Sequence, residues 1–126
     1  MGYRSEVAIK CEEKAYEMFI NALKKVNEAP DRIYVYEVDG YKEYLLKWDW
    51  VKWHEGFGYK DVDAVTDVMN ALDEYDDQDT GYGYKFLRLG EDDADVESRT
   101  NNYEVELYFI REIEIPDGMV EIKGNK

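Results

Sequence analysis

The sequence predicts an α+β domain: an antiparallel sheet of about five strands with two helices on one face, in the order β-α-β-β-α-β-β. That order suits a ferredoxin-like split β-α-β with one strand added. Three observations carry the prediction. Apolar residues alternate at period two in several separate stretches, as strands with two unlike faces require. Two intervening stretches change to period 3.6. Turn residues separate the stretches, and Asp39-Gly40 is the sharpest hairpin signal among them. A length of 126 residues fits a single domain over 1–126, large enough to bury a core without staples.

Tyr3–Cys11 alternates, with Tyr3, Ser5, Val7, Ile9 and Cys11 on one face, and forms the first strand. Cys11 ends that inward row and reads as a small buried hydrophobe. Glu12–Asn27 is the first helix, with a stripe of Ala15, Met18, Phe19, Ala22 and Val26 widened by Leu23. Glu12 and Glu13 suit its positive end and Lys24 and Lys25 its negative end. Asn27-Glu28-Ala29-Pro30-Asp31 stops it.

Arg32–Val38 is the second strand, and its inward face is open between Ile33/Val35 and Tyr34/Tyr36. The third, Tyr41–Trp53, holds all three tryptophans. Tyr44, Leu46, Trp48 and Trp50 share a buried face, and Glu43, Leu45, Lys47 and Asp49 a wet one. Trp48 and Trp50 are both expected in the core, so Trp50→Ala is expected to cost about 3–5 kcal/mol. Beyond Val51 both faces turn apolar, which calls for a twist or a bulge.

Asp61–Glu74 is the second helix, on Val62, Val65, Val68, Met69 and Leu72, with Asp61 or Asp63 at its N-terminus. Tyr82–Leu89 is the fourth strand, and Tyr103–Ile115 the fifth and longest. Tyr103, Val105, Leu107 and Phe109 form the inward row of the fifth strand; Glu104, Glu106 and Tyr108 are in its outward row. Met119–Lys123 adds a short edge strand.

The charge is lopsided. The net charge is −14; residues 1–60 hold 10 Lys+Arg against 11 Asp+Glu, and residues 61–126 hold 6 against 19. Two runs concentrate the acids. Asp73 and Glu74 end the second helix and Asp76, Asp77 and Asp79 follow it, all at the negative end of its dipole. Glu91, Asp92, Asp93, Asp95 and Glu97 follow the fourth strand. An eight-residue strand spans roughly 26 Å, so the runs belong near its opposite ends. Direct binding of nucleic acid through phosphates is not expected from this balance. A basic partner, or one whose usual ligand is nucleic acid, fits it.

Several chemistries fail on their residues. Asp77-Gln78-Asp79-Thr80-Gly81 resembles the start of a calcium loop, but glycine falls at position five and Arg88 stands where a glutamate ligand is needed. Zinc lacks its Cys and His ligands. His54 beside Glu55 has no visible nucleophile, and the glycine-rich loop there lacks the Lys and Ser/Thr of a phosphate loop. No catalytic residue, metal ligand or cofactor is expected. No apolar run approaches the ~20 residues of a bilayer span, and Met1–Lys10 lacks the apolar core of a signal peptide. With its single cysteine, the expected location is a reducing cytoplasm, without a membrane partner.

Three segments, MGYRSEV, WVKWHEGFGYKDVDAV and YGYKFLRLGEDDADVE, follow one another in order between residues 1 and 97. Together they resemble a family of small bacteriophage and prophage proteins that begin MGYRSDV, carry a VKW strand and have an R-I-G-E step followed by acids. The resemblance implies phage origin and action in the bacterial host cytoplasm, and it assigns no activity.

The expected function is that of a non-enzymatic phage accessory protein, anti-CRISPR-like in its action. It would inhibit a host defence or nucleic-acid-binding factor by mimicking nucleic acid. Its partner-binding residues would be the two acidic runs with Glu104, Glu106 and Tyr108, and a second copy of the chain is a further candidate partner. The alternative is a small-molecule or cation-binding module that sequesters its ligand. An anionic nucleotide would need a cationic pocket, drawn from Arg4, Lys47, Lys52 and Lys85.

Overall fold

A computed structural model describes residues 4–53, 58–75, 79–92, 94–101 and 119–122. The elements run β1 (Ser5–Glu12), α1 (Glu13–Lys25), β2 (Arg32–Val38), β3 (Tyr41–Val51), α2 (Lys60–Leu72), β4 (Tyr84–Leu89), β5 (Val96–Thr100) and β6 (Val120–Ile122). They form an α+β fold with a six-stranded antiparallel sheet in the order β5-β4-β1-β3-β2-β6. β3 is inserted between β1 and β2, and β1 between β3 and β4. Each of the two β-α-β units is therefore split by a strand of the other. The expected strand over Tyr103–Ile115 lies outside the described residues. β5 departs from the sequence reading, in which Glu97 belongs to the acidic run after the fourth strand.

Local chemistry accounts for the punctuation. Val38 pairs with Tyr41, and Asp39 (φ 50°) and Gly40 (φ 83°) make the two-residue turn between them. Positive φ at both central residues matches the right-handed twist of the strands. At the end of α1, Asn27 adopts φ 59°, its N–H donates to the Lys24 carbonyl, and Glu28 N–H donates to the Leu23 carbonyl. That pair of bonds satisfies carbonyls the helix leaves open. At the start of α1, Ala15 N–H donates to the Gly81 carbonyl at 3.0 Å. Gly81 has φ +91°, and a Cβ there would meet Lys14 at 3.0 Å. Glycine lets this loop approach the helix.

Both helices cover one face of the sheet. Val7, Ile9 and Cys11 of β1, Leu46 and Trp48 of β3, and Tyr84 and Phe86 of β4 pack there against Phe19, Leu23, Val65, Met69 and Leu72. Ala8, Tyr34, Leu45, Leu87 and Leu89 form a smaller cluster on the opposite face. β2 thus buries one residue toward each face, Ile33 to the helices and Tyr34 away from them.

Two expectations about β3 are overturned. The face read as wet is buried at its centre, where Leu45 and Lys47 are 0% and 4% exposed. β3 is an interior strand, and the Lys47 ammonium lies 2.7 Å from Glu6 and 3.2 Å from Asp49, so its charge is compensated in place. The second correction concerns Trp50, which is 55% exposed. Ser5 pairs with Val51 but Val7 pairs with Trp48, so two steps along β1 match three along β3. The bulge breaks the alternation after Trp48. The N–H of Asp49, beside the bulge, donates to the Asp31 carboxylate at 2.9 Å. Trp53 enters the core instead, with its ring centroid 5.2 Å from Trp48 and 5.9 Å from Phe86.

Candidate partner-binding surface

β4 and β5 form the ribbon that positions the acidic runs. β4 is six residues long, roughly 20 Å at ~3.3 Å per residue. The first run approaches the Tyr84 end and the second leaves from the Leu89 end.

At the first end, Asp73 terminates α2 with its N–H bonded to the Met69 carbonyl. Its carboxylate accepts a hydrogen bond from the Tyr84 hydroxyl at 2.8 Å and another from Arg99 Nη2 at 2.7 Å. Arg99 also donates to Asn70 at 2.8 Å. Burial, and then the bond to Asp73, push the Tyr84 hydroxyl well above the ordinary tyrosine range. For Arg99, burial acts downward, but the bond to Asp73 leads the influences that raise it. The acidic run contains no basic residue of its own, and Arg99 of β5 supplies one across the fold. Glu74 and Asp79 are exposed. Between them Tyr75 stacks on Tyr82 at 3.9 Å and 5°, and Lys14 sits 5.3 Å from the Tyr82 ring. Asp76 and Asp77 lie outside the described residues.

At the second end, Glu91 and Asp92 are exposed. Glu91 accepts the Arg4 backbone N–H at 2.6 Å. Asp92 accepts the Ala94 N–H at 3.0 Å, and Asp95 N–H donates to the Asp92 carbonyl, which closes a tight turn. Arg88 then holds two acids at once. Its Nη1 and Nη2 donate to the two oxygens of Asp95 at 3.0 and 2.7 Å, and its Nε donates to Glu97 at 2.9 Å. Nη1 also reaches Ser5 Oγ at 3.1 Å, tying the cluster to β1. The bonds to Asp95 raise the Arg88 guanidinium above its ordinary value. Asp93, Glu104, Glu106 and Tyr108 lie outside the described residues.

The two arginines are what sequence reading missed. The available signal was the alternation Val96-Glu97-Ser98-Arg99-Thr100 directly after a turn, which marks a returning strand. The structure does not assemble the cationic pocket around Lys47, because that ammonium is engaged by Glu6 and Asp49. Cys11 is buried, and burial, followed by the charges of Glu43 and Glu12, pushes its thiol well above the ordinary range. Among the described residues, no group of three or more His, Cys, Asp or Glu is arranged to hold a metal ion, and no helix is long and apolar enough to cross a membrane.

No family model, no curated protein and no solved structure matches the chain.

Proposed function

We propose that this is a non-enzymatic inhibitor from a phage, acting in the bacterial cytoplasm by occupying the nucleic-acid-binding surface of a host protein. A ferredoxin-like split β-α-β, extended by a strand at each edge, is its frame. The observation that carries the reading is the β4–β5 ribbon with one acidic run at each end, their innermost carboxylates pinned by Arg99 and Arg88. Duplex DNA presents a phosphate every ~3.4 Å along each strand, and its binding proteins meet those charges with Lys/Arg grooves. The pinned carboxylates are partly neutralised by their arginines but brace the adjoining turns, whose exposed acids offer such a groove negative charge without the entropy loss of ordering a loose acidic chain. Glu74, Asp79, Glu91 and Asp92 are exposed around that pinned pair of clusters.

The test is affinity capture from nuclease-treated bacterial lysate, followed by elution with duplex DNA. A captured protein released by duplex DNA, and no longer captured by a Glu74→Gln/Asp79→Asn/Asp92→Asn variant, supports the reading. Capture that duplex DNA leaves untouched overturns it.

A further inference from the structure

The helical layer carries an apolar groove on its outer side. α1 and α2 pack against each other, and a groove of about 520 Å³ runs between them. Met18 and Ala22 of α1, Val26 just past its end, and Ala64, Val68 and Ala71 of α2 line it. Its rim is charged, with Lys25 from α1 and Lys60, Asp63 and Asp67 from α2. β1 and β3 are antiparallel and each helix reverses its preceding strand, so α1 and α2 run in opposite directions. The C-terminus of α1 therefore lies near the N-terminus of α2. Lys25 and Lys60 mark one end of the groove, and Asp67 lies two turns of α2 away from Lys60. None of the four rim charges takes part in an ion pair among the described residues.

We infer that the groove binds a second copy of the chain, with α2 of each copy lying in the groove of the other. The charge pattern selects this occupant. A uniformly basic partner would meet Lys25 and Lys60, and a uniformly acidic one would meet Asp63 and Asp67. A second copy satisfies both ends. Antiparallel pairing of α2 with its copy, centred between Asp63 and Ala64, sets Lys60 of each copy beside Asp67 of the other. Lys25 flanks the same carboxylate from the α1 side. The arrangement is two-fold and self-complementary, as an isologous interface must be. Small side chains at Ala22, Ala64 and Ala71 let the helices approach closely. Asp63 faces its own copy near the axis, and that like-charge contact weakens the association. A contact built on helices of ~20 Å belongs to the small class of interfaces, so dimers form in the micromolar range rather than below it.

The test is sedimentation velocity of the intact protein across micromolar to near-millimolar concentrations, at ~0.15 M and ~1 M salt. The mass should rise from monomer toward dimer with concentration. Association should tighten at high salt, because screening relieves repulsion between two chains of net charge −14. Lys60→Glu and Asp67→Lys should each weaken association by about tenfold, and the double variant should return to within about threefold of wild type. Asp67→Lys is the sharp case, because it weakens the dimer while making the chain less negative. All these side chains are exposed, and circular dichroism checks that each variant folds. A chain that stays monomeric throughout overturns the inference. So does tighter association of Asp67→Lys, a double variant no better than the singles, or a monomer that binds 1-anilinonaphthalene-8-sulfonate in the groove.

Discussion

Arg99 Nη2 stands 2.7 Å from Oδ2 of Asp73, joining the edge strand β5 to the last residue of the helical layer. A carboxylate at a helix C-terminus is ordinarily unfavourable, because it meets the negative end of the dipole. Here Asp73 is held by that arginine and by the Tyr84 hydroxyl. Asp73→Ala should therefore destabilise the fold, by about 1–2 kcal/mol, despite removing an acid from a helix end. Arg99→Ala should cost somewhat less, since Asn70 and Tyr84 remain. Urea denaturation of both variants measures this, and a more stable Asp73→Ala protein would show that the dipole term dominates.

Tyr84 gives the pair a pH signature. Its hydroxyl titrates above the ordinary tyrosine range in the folded chain, while the unfolded chain ionises near pH ~10. Above that pH the unfolded state loses a proton that the folded state keeps. The stability this supplies is whole below pH ~10 and is lost as pH rises toward the folded value. Tyr84→Phe should lower stability at neutral pH by about 1–2 kcal/mol and fall less steeply than wild type above pH ~10. Melting curves at neutral and alkaline pH test it; parallel losses would remove Tyr84 from the account.

The three tryptophans divide sharply. Trp50 is 55% exposed and Trp53 3% exposed. Trp50→Ala should change stability by less than about 0.5 kcal/mol, whereas Trp53→Ala should cost about 3–5 kcal/mol. Acrylamide quenching should lose its most accessible component in the Trp50 variant. A large stability loss for Trp50→Ala would move the bulge.

How far the sequence could be read is clearest along β3. Its strand character, its hairpin and the burial of Trp48 follow from alternation and from Asp39-Gly40. The bulge does not, because it is a register property of two strands and shows only when Ser5 is matched to Val51 and Val7 to Trp48. The burial of Lys47 was hidden for a similar reason: its partners are Asp49 on its own strand and Glu6 from a strand some forty residues earlier. The acidic runs were visible as composition. Their division into pinned and exposed members was not, because Arg88 acts across the β4–β5 ribbon and Arg99 reaches from β5 to the end of α2. β5 was lost inside the second run because acids outweighed the short alternation that follows.

Charge location decides the mimicry test. The control needs acids outside the two runs whose loss leaves the fold intact; Glu12 does not qualify, because its carboxylate accepts the Gly83 N–H at 3.0 Å and its backbone bonds to the same residue. Glu17, Glu28 and Glu37 are exposed and serve instead. Neutralising Glu74, Asp79 and Asp92 should weaken partner binding by about tenfold or more, mainly through a slower association rate, and should flatten its salt dependence. Neutralising the Glu17 set should change it by less than about twofold. Surface plasmon resonance across salt reads both, and equal losses in the two sets would reduce the acidic ends to a general solubility effect.

β1 is flanked on both sides by strands made later. Its residues Ala8 and Lys10 pair with Leu87 and Lys85 of β4 on one side and with Lys47 and Leu45 of β3 on the other. During synthesis β1 therefore waits for β3 and then for β4 before both of its edges are covered. Some eighty residues must be added before β4 can close the sheet over it. Contacts of such sequence separation slow folding, because the entropy of closing the loop is lost before they form. Until then the Val7-Ala8-Ile9 segment is exposed to other chains or to chaperones. The yield of folded protein should depend on how fast the stretch from Lys60 to Leu89 is translated, more than on any residue of the finished surface.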